Sequence, residues 1–208
     1  MIPVDLLVTF FAISVLLALS PGPDNLFVLT QSAMSGPREG LAVTLGLCTG
    51  LIVHTTAVAV GVAAIVQASA VAYTAIKLAG AGYLLYLAWL AFTAAPTDEV
   101  EGGAPRLQLR RLYGRGIIMN VTNPKVSIFF LAFLPQFADP ARGSLVAQIL
   151  LLGAVFAVAT VVVFGGIAVF AGAAGRWLAS SARAQLVLNR VAGTVFIVLA
   201  LNLIVTVR

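Results

Sequence analysis

The sequence predicts an all-α integral membrane protein. Six transmembrane helices form two inverted three-helix repeats, and the first and fourth spans are broken. Three observations lead there. Hydrophobic residues make up 61% of the 208-residue chain and charged residues only 9%, whereas a soluble domain carries about 25% charged residues. Mean hydropathy is +1.09. Six apolar stretches are long enough to cross a bilayer, which takes about 20 residues each. Finally, proline-bearing breaks fall at matching places in the two halves. They are Ser20-Pro21-Gly22-Pro23-Asp24 and Asn123-Pro124-Lys125.

The first stretch, 4–34, would run roughly 45 Å as a straight helix, longer than the hydrocarbon core. Pro21 and Pro23 relieve that excess, because proline removes an amide donor and clashes with the preceding turn. No Lys or Arg precedes Arg38, so the stretch reads as a retained span and not as a signal peptide. The second stretch, 40–66, carries the only histidine, His54, in line with Gly46, Gly50, Ala57 and Gly61. Spacings of three and four put these on one helix face, and Gly46 with Gly50 permits close helix contact. Cys48 is the single cysteine and lies in the same apolar run. It forms no intrachain disulfide and belongs to no metal-ligand cluster.

The third stretch is 70–94. After it comes a polar segment, 95–111, with Asp98, Glu99, Glu101, two glycines, Pro105 and three arginines. It reads as a flexible cytoplasmic linker between repeats 1–94 and 112–208. The fourth stretch, 112–134, breaks at Asn123-Pro124, and the fifth and sixth are 144–171 and 186–207.

A shift of 103 aligns Pro21 with Pro124, Pro37 with Pro140, Gly40 with Gly143 and Gly50 with Gly153. Toward the ends of the halves a shift of 113 sets Lys77-Leu78-Ala79-Gly80 against Arg190-Val191-Ala192-Gly193. Three spans per half is an odd number, so the copies insert in opposite directions. Arg38, Arg106, Arg110, Arg111, Arg115, Arg176 and Arg183 fall on one side of such a bundle, against Arg142, Arg208 and Lys77 near a span end on the other. The positive-inside rule places both termini outside the cytoplasm. The formal charge of +5 is therefore a matter of orientation and not of nucleic-acid binding.

Broken helices at corresponding positions of two repeats point to a transporter's binding site. Asp24 follows the first break at a helix start, where Asp also serves as an N-cap. A carboxylate at membrane depth is costly and marks a functional site, so Asp24 is a candidate proton carrier or ligand for a substrate ammonium. Lys125 pairs with Gly22 under the 103 shift, which brings it near Asp24. The two would hold opposite ends of a zwitterion, or form an internal ion pair; alternatively Lys125 snorkels to an interface. Helix starts after Pro23 and Pro124 would offer N–H donors to a carboxylate. Asn25, Gln31, Asn120 and Asn123 are the nearby polar side chains, and Asp24, Val28 and Gln31 share a helix face. His54, with a reference pKa of about 6.5, is a candidate proton shuttle or a hydrogen-bonded helix contact. Phe129, Phe130, Phe133 and Phe137 read as packing or lipid contact and not as a substrate cage. No P-loop, paired cysteines or histidine cluster suggests an enzyme, a metal site or a cofactor.

The two motifs, the second followed by Phe129-Phe130-Leu131-Ala132-Phe133-Leu134-Pro135-Gln136-Phe137, resemble the LysE/RhtB family of amino-acid exporters. Size, six spans, polar central loop and motif order match over essentially the whole chain. Gly40–Gly50 and Lys77-Leu78-Ala79-Gly80 to Tyr86-Leu87 are also similar. The resemblance implies an inner-membrane protein that exports amino acids or close derivatives, driven by the proton gradient. Homoserine, homoserine lactone, threonine, leucine and lysine are typical substrate types. Competing readings are export of another small solute or cation, a membrane redox protein, and a non-transporting scaffold. The redox reading needs paired cysteines, and Cys48 stands alone. The expected partners are the substrate, protons and the bilayer. The Gly-rich faces would pack either within one chain or between chains of a homo-oligomer.

Overall fold

Prolines open three of the helices, at Pro23, Pro37 and Pro124. The computed structural model describes residues 2–20, 22–68, 70–94, 107–171 and 181–205. Pro21, Arg106, Arg176, Arg208 and the 95–106 part of the linker lie outside the described residues. Helix α1 (Val4–Leu19) is followed by α2 (Pro23–Ser35), and α3 (Pro37–Ala68) by α4 (Ala70–Thr93). In the second half α5 (Leu109–Thr122) precedes the short α6 (Pro124–Ile128), then come α7 (Leu145–Phe170) and α8 (Ala182–Val205). Pro23 and Pro124 open their helices, where a missing N–H costs nothing. Between α2 and α3 the chain turns at Gly36, whose φ of 121° suits glycine and strains other residues.

Four helices are long and apolar enough to span a membrane alone: α3, α4, α7 and α8. The other two spans are bent pairs. The α1–α2 pair bends by 65°, and α5 bends by 51° against Pro124–Phe137. Counted this way the described residues hold six spans and no strand.

Two details depart from the sequence reading. Helix α5 starts at Leu109, inside the stretch read as linker. Its buried positions Leu112, Gly116 and Asn120 recur every four residues, and packing along this stripe carries the helix past the apolar boundary. Beyond α6 the helix is irregular, widening to a π turn at Phe129–Phe133 and tightening to a 3₁₀ turn at Leu134–Phe137. Pro135 has no N–H to continue the α pattern.

Small residues set the register between helices. A methyl group on Gly46 would collide with the Tyr113 carbonyl, and one on Gly50 would stand 2.7 Å from the Asn120 side chain. Residue numbers rise together, so α3 and α5 run parallel. Gly40 faces Ala168 while Gly153 faces Thr55, so α3 and α7 run antiparallel. Gly80 lies near Leu203 and Gly193 against Phe92, so α4 and α8 are antiparallel as well. Spans two and four point the same way; two and five, and three and six, point opposite ways. Equivalent helices that pair antiparallel are what an axis in the membrane plane produces.

The core is built on aromatic contacts. Phe129 lies 5.0 Å from Phe133 and 5.3 Å from Phe156, and Phe130 lies 5.1 Å from Phe156, between ring centroids. Phe129, Phe130 and Phe133 are fully buried, so of the two readings the phenylalanine cluster is packing and not lipid contact. Outward faces of α4 and α8 remain apolar, with Trp89, Val191 and Val198 exposed. In a bilayer those faces meet lipid.

Candidate functional site

The breaks in spans one and four meet in the interior. Asp24, Asn120, Asn123 and Lys125 are only 3%, 2%, 3% and 7% exposed. Asn123 is the bridge between the halves. Its Nδ2 donates to Asp24 Oδ2 at 3.0 Å, and its Oδ1 accepts from the Lys125 backbone N–H at 3.0 Å, capping α6. One side chain thus satisfies a helix start and orients a carboxylate that lies 99 residues away in sequence. The Lys125 amide is therefore already occupied, so at this position the helix start after Pro124 offers no donor to a ligand.

Lys125 reaches the other side of the first break. Its Nζ donates to the Ser20 carbonyl at 3.0 Å and to the Leu17 carbonyl at 3.4 Å. Proline at 21 and 23 stops the helix there, so those carbonyls lack their usual helical donors. Lys125 caps the C-terminal end of α1 with a positive charge, where the helix dipole favours one. Gly22 makes room for this, since a Cβ there would stand 3.1 Å from Nζ. Asn25 ties the same break from the other side by donating to the Ala18 carbonyl at 2.7 Å.

Asp24 and Lys125 both line one cavity of about 20 Å³, yet they do not pair directly. The internal ion pair considered from sequence is therefore absent as a contact. Each charge has its own polar partners: an amide for the carboxylate, carbonyls for the ammonium. Asp24 Oδ1 and Asn120 Oδ1 have no hydrogen-bond partner among the described residues. Leu17, Ala18, Val126, Phe156, Thr160 and Phe164 complete the wall. About 20 Å³ is room for a single water-sized sphere, too little for an amino acid.

Asn120 and Thr160 belong to the cavity, although the sequence offered Asn120 only as a neighbour and did not offer Thr160 at all. Thr160 is a rare polar residue in the fifth apolar stretch, which is the signal that could have found it. Its hydroxyl donates within its own helix to Phe156 at 2.9 Å. Gln31 is buried on the same face as Asp24 and Val28, as the spacing predicts, but it does not line the cavity. His54 stands behind the site. Its Nε2 lies 3.1 Å from the Asn120 carbonyl, and its ring is 5.6 Å from Phe130. Of the stripe on α3, Gly46, Gly50 and His54 meet α5, whereas Ala57 is exposed and Gly61 has nothing within 4 Å. Contact ends where α5 ends, at the second break.

The family model described as LysE type translocator matches residues 15–206, which includes both breaks. The chain belongs to the LysE family. Among its relatives is the homoserine/homoserine lactone efflux protein of Salmonella typhimurium, 36% identical over 88% of each chain. The protein of the same name from Salmonella typhi is 35% identical over the same shares. An uncharacterised membrane protein of Bacillus subtilis is 26% identical over 92% of this chain and 94% of its own length. No solved structure matches the chain. Membership in the LysE family makes this a multi-pass membrane transporter and not an enzyme.

Proposed function

We propose that this LysE-family protein is a proton-coupled exporter of amino acids or close derivatives of homoserine size. One observation carries the reading: a buried carboxylate and a buried ammonium line the same cavity without a direct ion pair between them. A substrate ammonium takes the free Oδ1 of Asp24. A substrate carboxylate or ester carbonyl draws the Lys125 ammonium from the Ser20 and Leu17 carbonyls. Homoserine and its lactone, named for the Salmonella relatives, share the ammonium and differ at the other end. Asp24 thus reads the feature common to both, and Lys125 tolerates either oxygen acceptor.

The cavity admits no such molecule when closed, so transport requires the breaks to open to each side in turn. Release of the ammonium follows when Asp24 takes a proton, and return of the site follows when it gives that proton up. The two three-span repeats, 1–94 and 112–208, rock about this site, with the 95–111 segment joining them in the cytoplasm. Both termini face away from the cytoplasm in this scheme, in the inner membrane of a bacterial cell.

Vesicles loaded with homoserine, its lactone, threonine, leucine or lysine test the proposal. Efflux should depend on an imposed proton gradient for at least one of them. Asp24→Asn should keep the folded protein in the membrane and reduce gradient-dependent efflux to background. Full efflux by that variant at unchanged protein level sinks the mechanism.

A further inference from the structure

A second cleft lies away from the transport site, between the N-terminal ends of α3 and α5. It has a volume of about 450 Å³ and is bounded by Arg38, Leu41, Leu45, Leu109, Arg110 and Tyr113. The parallel register explains its position. Gly46 and Gly116 bring the two helices into backbone contact, and the cleft opens beyond that contact toward Arg38 and Arg110. Both arginines are exposed, and neither has a hydrogen bond or ion pair among the described residues. Two other arginines are engaged: Arg142 pairs with Asp139 at 3.2 Å, and Arg115 stacks 4.7 Å over the Phe27 ring. The three leucines are 38%, 60% and 49% exposed. The Tyr113 hydroxyl is 2.9 Å from Thr49 Oγ1, which fixes the ring against α3.

We infer that this cleft binds one anionic phospholipid. Two guanidiniums at the helix ends suit a phosphodiester, which accepts charge-assisted hydrogen bonds from both. The leucines and the Tyr113 ring continue from there along the membrane-facing side, where an acyl chain lies. Charge complementarity with an attached apolar wall selects a lipid over a free anion, which has no use for the leucines. Basic pockets between spans are a recognised form of headgroup site.

The test uses the full-length protein, purified with its native lipid and then stripped in detergent. Native mass spectrometry counts retained phospholipid, and titration with phosphatidylglycerol or phosphatidylcholine measures affinity. Wild type should retain one anionic lipid and prefer phosphatidylglycerol. The R38Q/R110Q double variant should weaken that lipid roughly 30-fold, about a factor of five per arginine. Leu45→Trp, which fills the cleft and keeps both charges, should also lose the retained lipid. Equal retention by wild type and R38Q/R110Q overturns the inference. So does undiminished binding by Leu45→Trp, which would reduce the effect to surface charge, and so does equal competition by glycerol phosphate, which would leave no role for the acyl chain. Lipid binding that emerges only after D98N/E99Q/E101Q would give the cleft to the chain's own acidic segment and refute it as well.

Discussion

Asn123 holds the two breaks together, and replacing it separates its two jobs. Asn123→Ser keeps a capping oxygen for the Lys125 N–H, since Ser is a good N-cap, but is too short to reach Asp24. The bond lost is the 3.0 Å contact from Nδ2 to Asp24 Oδ2. A hydrogen bond to a charged group contributes about 1.5–3 kcal/mol, and Asp24 is buried, so no water compensates fully. Asn123→Ala loses that bond and the cap, which adds about 1 kcal/mol. Unfolding in mixed micelles titrated with dodecyl sulfate measures both costs, and efflux from loaded vesicles measures function. The order expected is wild type, then Asn123→Ser, then Asn123→Ala, with efflux lost in both variants. In an Asp24→Asn background the cost of Asn123→Ser should fall to about 1 kcal/mol, because the acceptor is no longer charged. An Asn123→Ser protein as stable and active as wild type refutes the bridging role. An unchanged cost in the Asp24→Asn background refutes the charge-assisted bond.

Other perturbations follow from the same packing. Gly50→Ala pushes on the Asn120 side chain at 2.7 Å and should cost about 1–3 kcal/mol while raising the KM for efflux. Gly82→Ala, with nothing within 4 Å, should instead be neutral or stabilising by up to about 1 kcal/mol; equal effects at both glycines would contradict the close α3–α5 contact. Gln148→Leu removes hydrogen bonds to Asp139 N, Asp139 O and Gly143 O at 3.0, 2.8 and 3.2 Å. Because Asp139 N then loses its acceptor, the change should destabilise by about 1–3 kcal/mol, read as a lower unfolding midpoint, and an unshifted midpoint would show that water replaces the side chain. A reporter active only outside the cytoplasm, fused after Arg208, should be active; silence there with activity in the 95–111 segment reverses the orientation.

Spans, breaks and small-residue faces were legible because each depends on local chemistry. A proline ends a helix wherever it sits, and about 20 apolar residues suffice to cross a bilayer. Asp24 and Lys125 stood out because ionisable groups are costly in such segments. Their neighbourhood was legible too, since the repeat shift places Lys125 opposite Gly22, and the two are in contact range in the fold. The π and 3₁₀ turns over Phe129–Phe137 were not legible, because an apolar run of phenylalanines carries no local mark of where Pro135 disturbs the turn before it. Thr160 stayed hidden because one threonine in an apolar helix has no periodic partner.

The sequence by itself determined the solvent, the number of spans, the two breaks and the charges placed in them. Each of these is a property of a segment of a few to about 20 residues. Tertiary structure alone decided that Asp24 and Lys125 share a cavity without pairing. Their partners, Asn123 for one and the Ser20 and Leu17 carbonyls for the other, lie 99 to 108 residues away. Which of them meet depends on how closely helices approach at Gly46, Gly50 and Gly116. That distance is set by the packing of both halves at once, and no single segment encodes it.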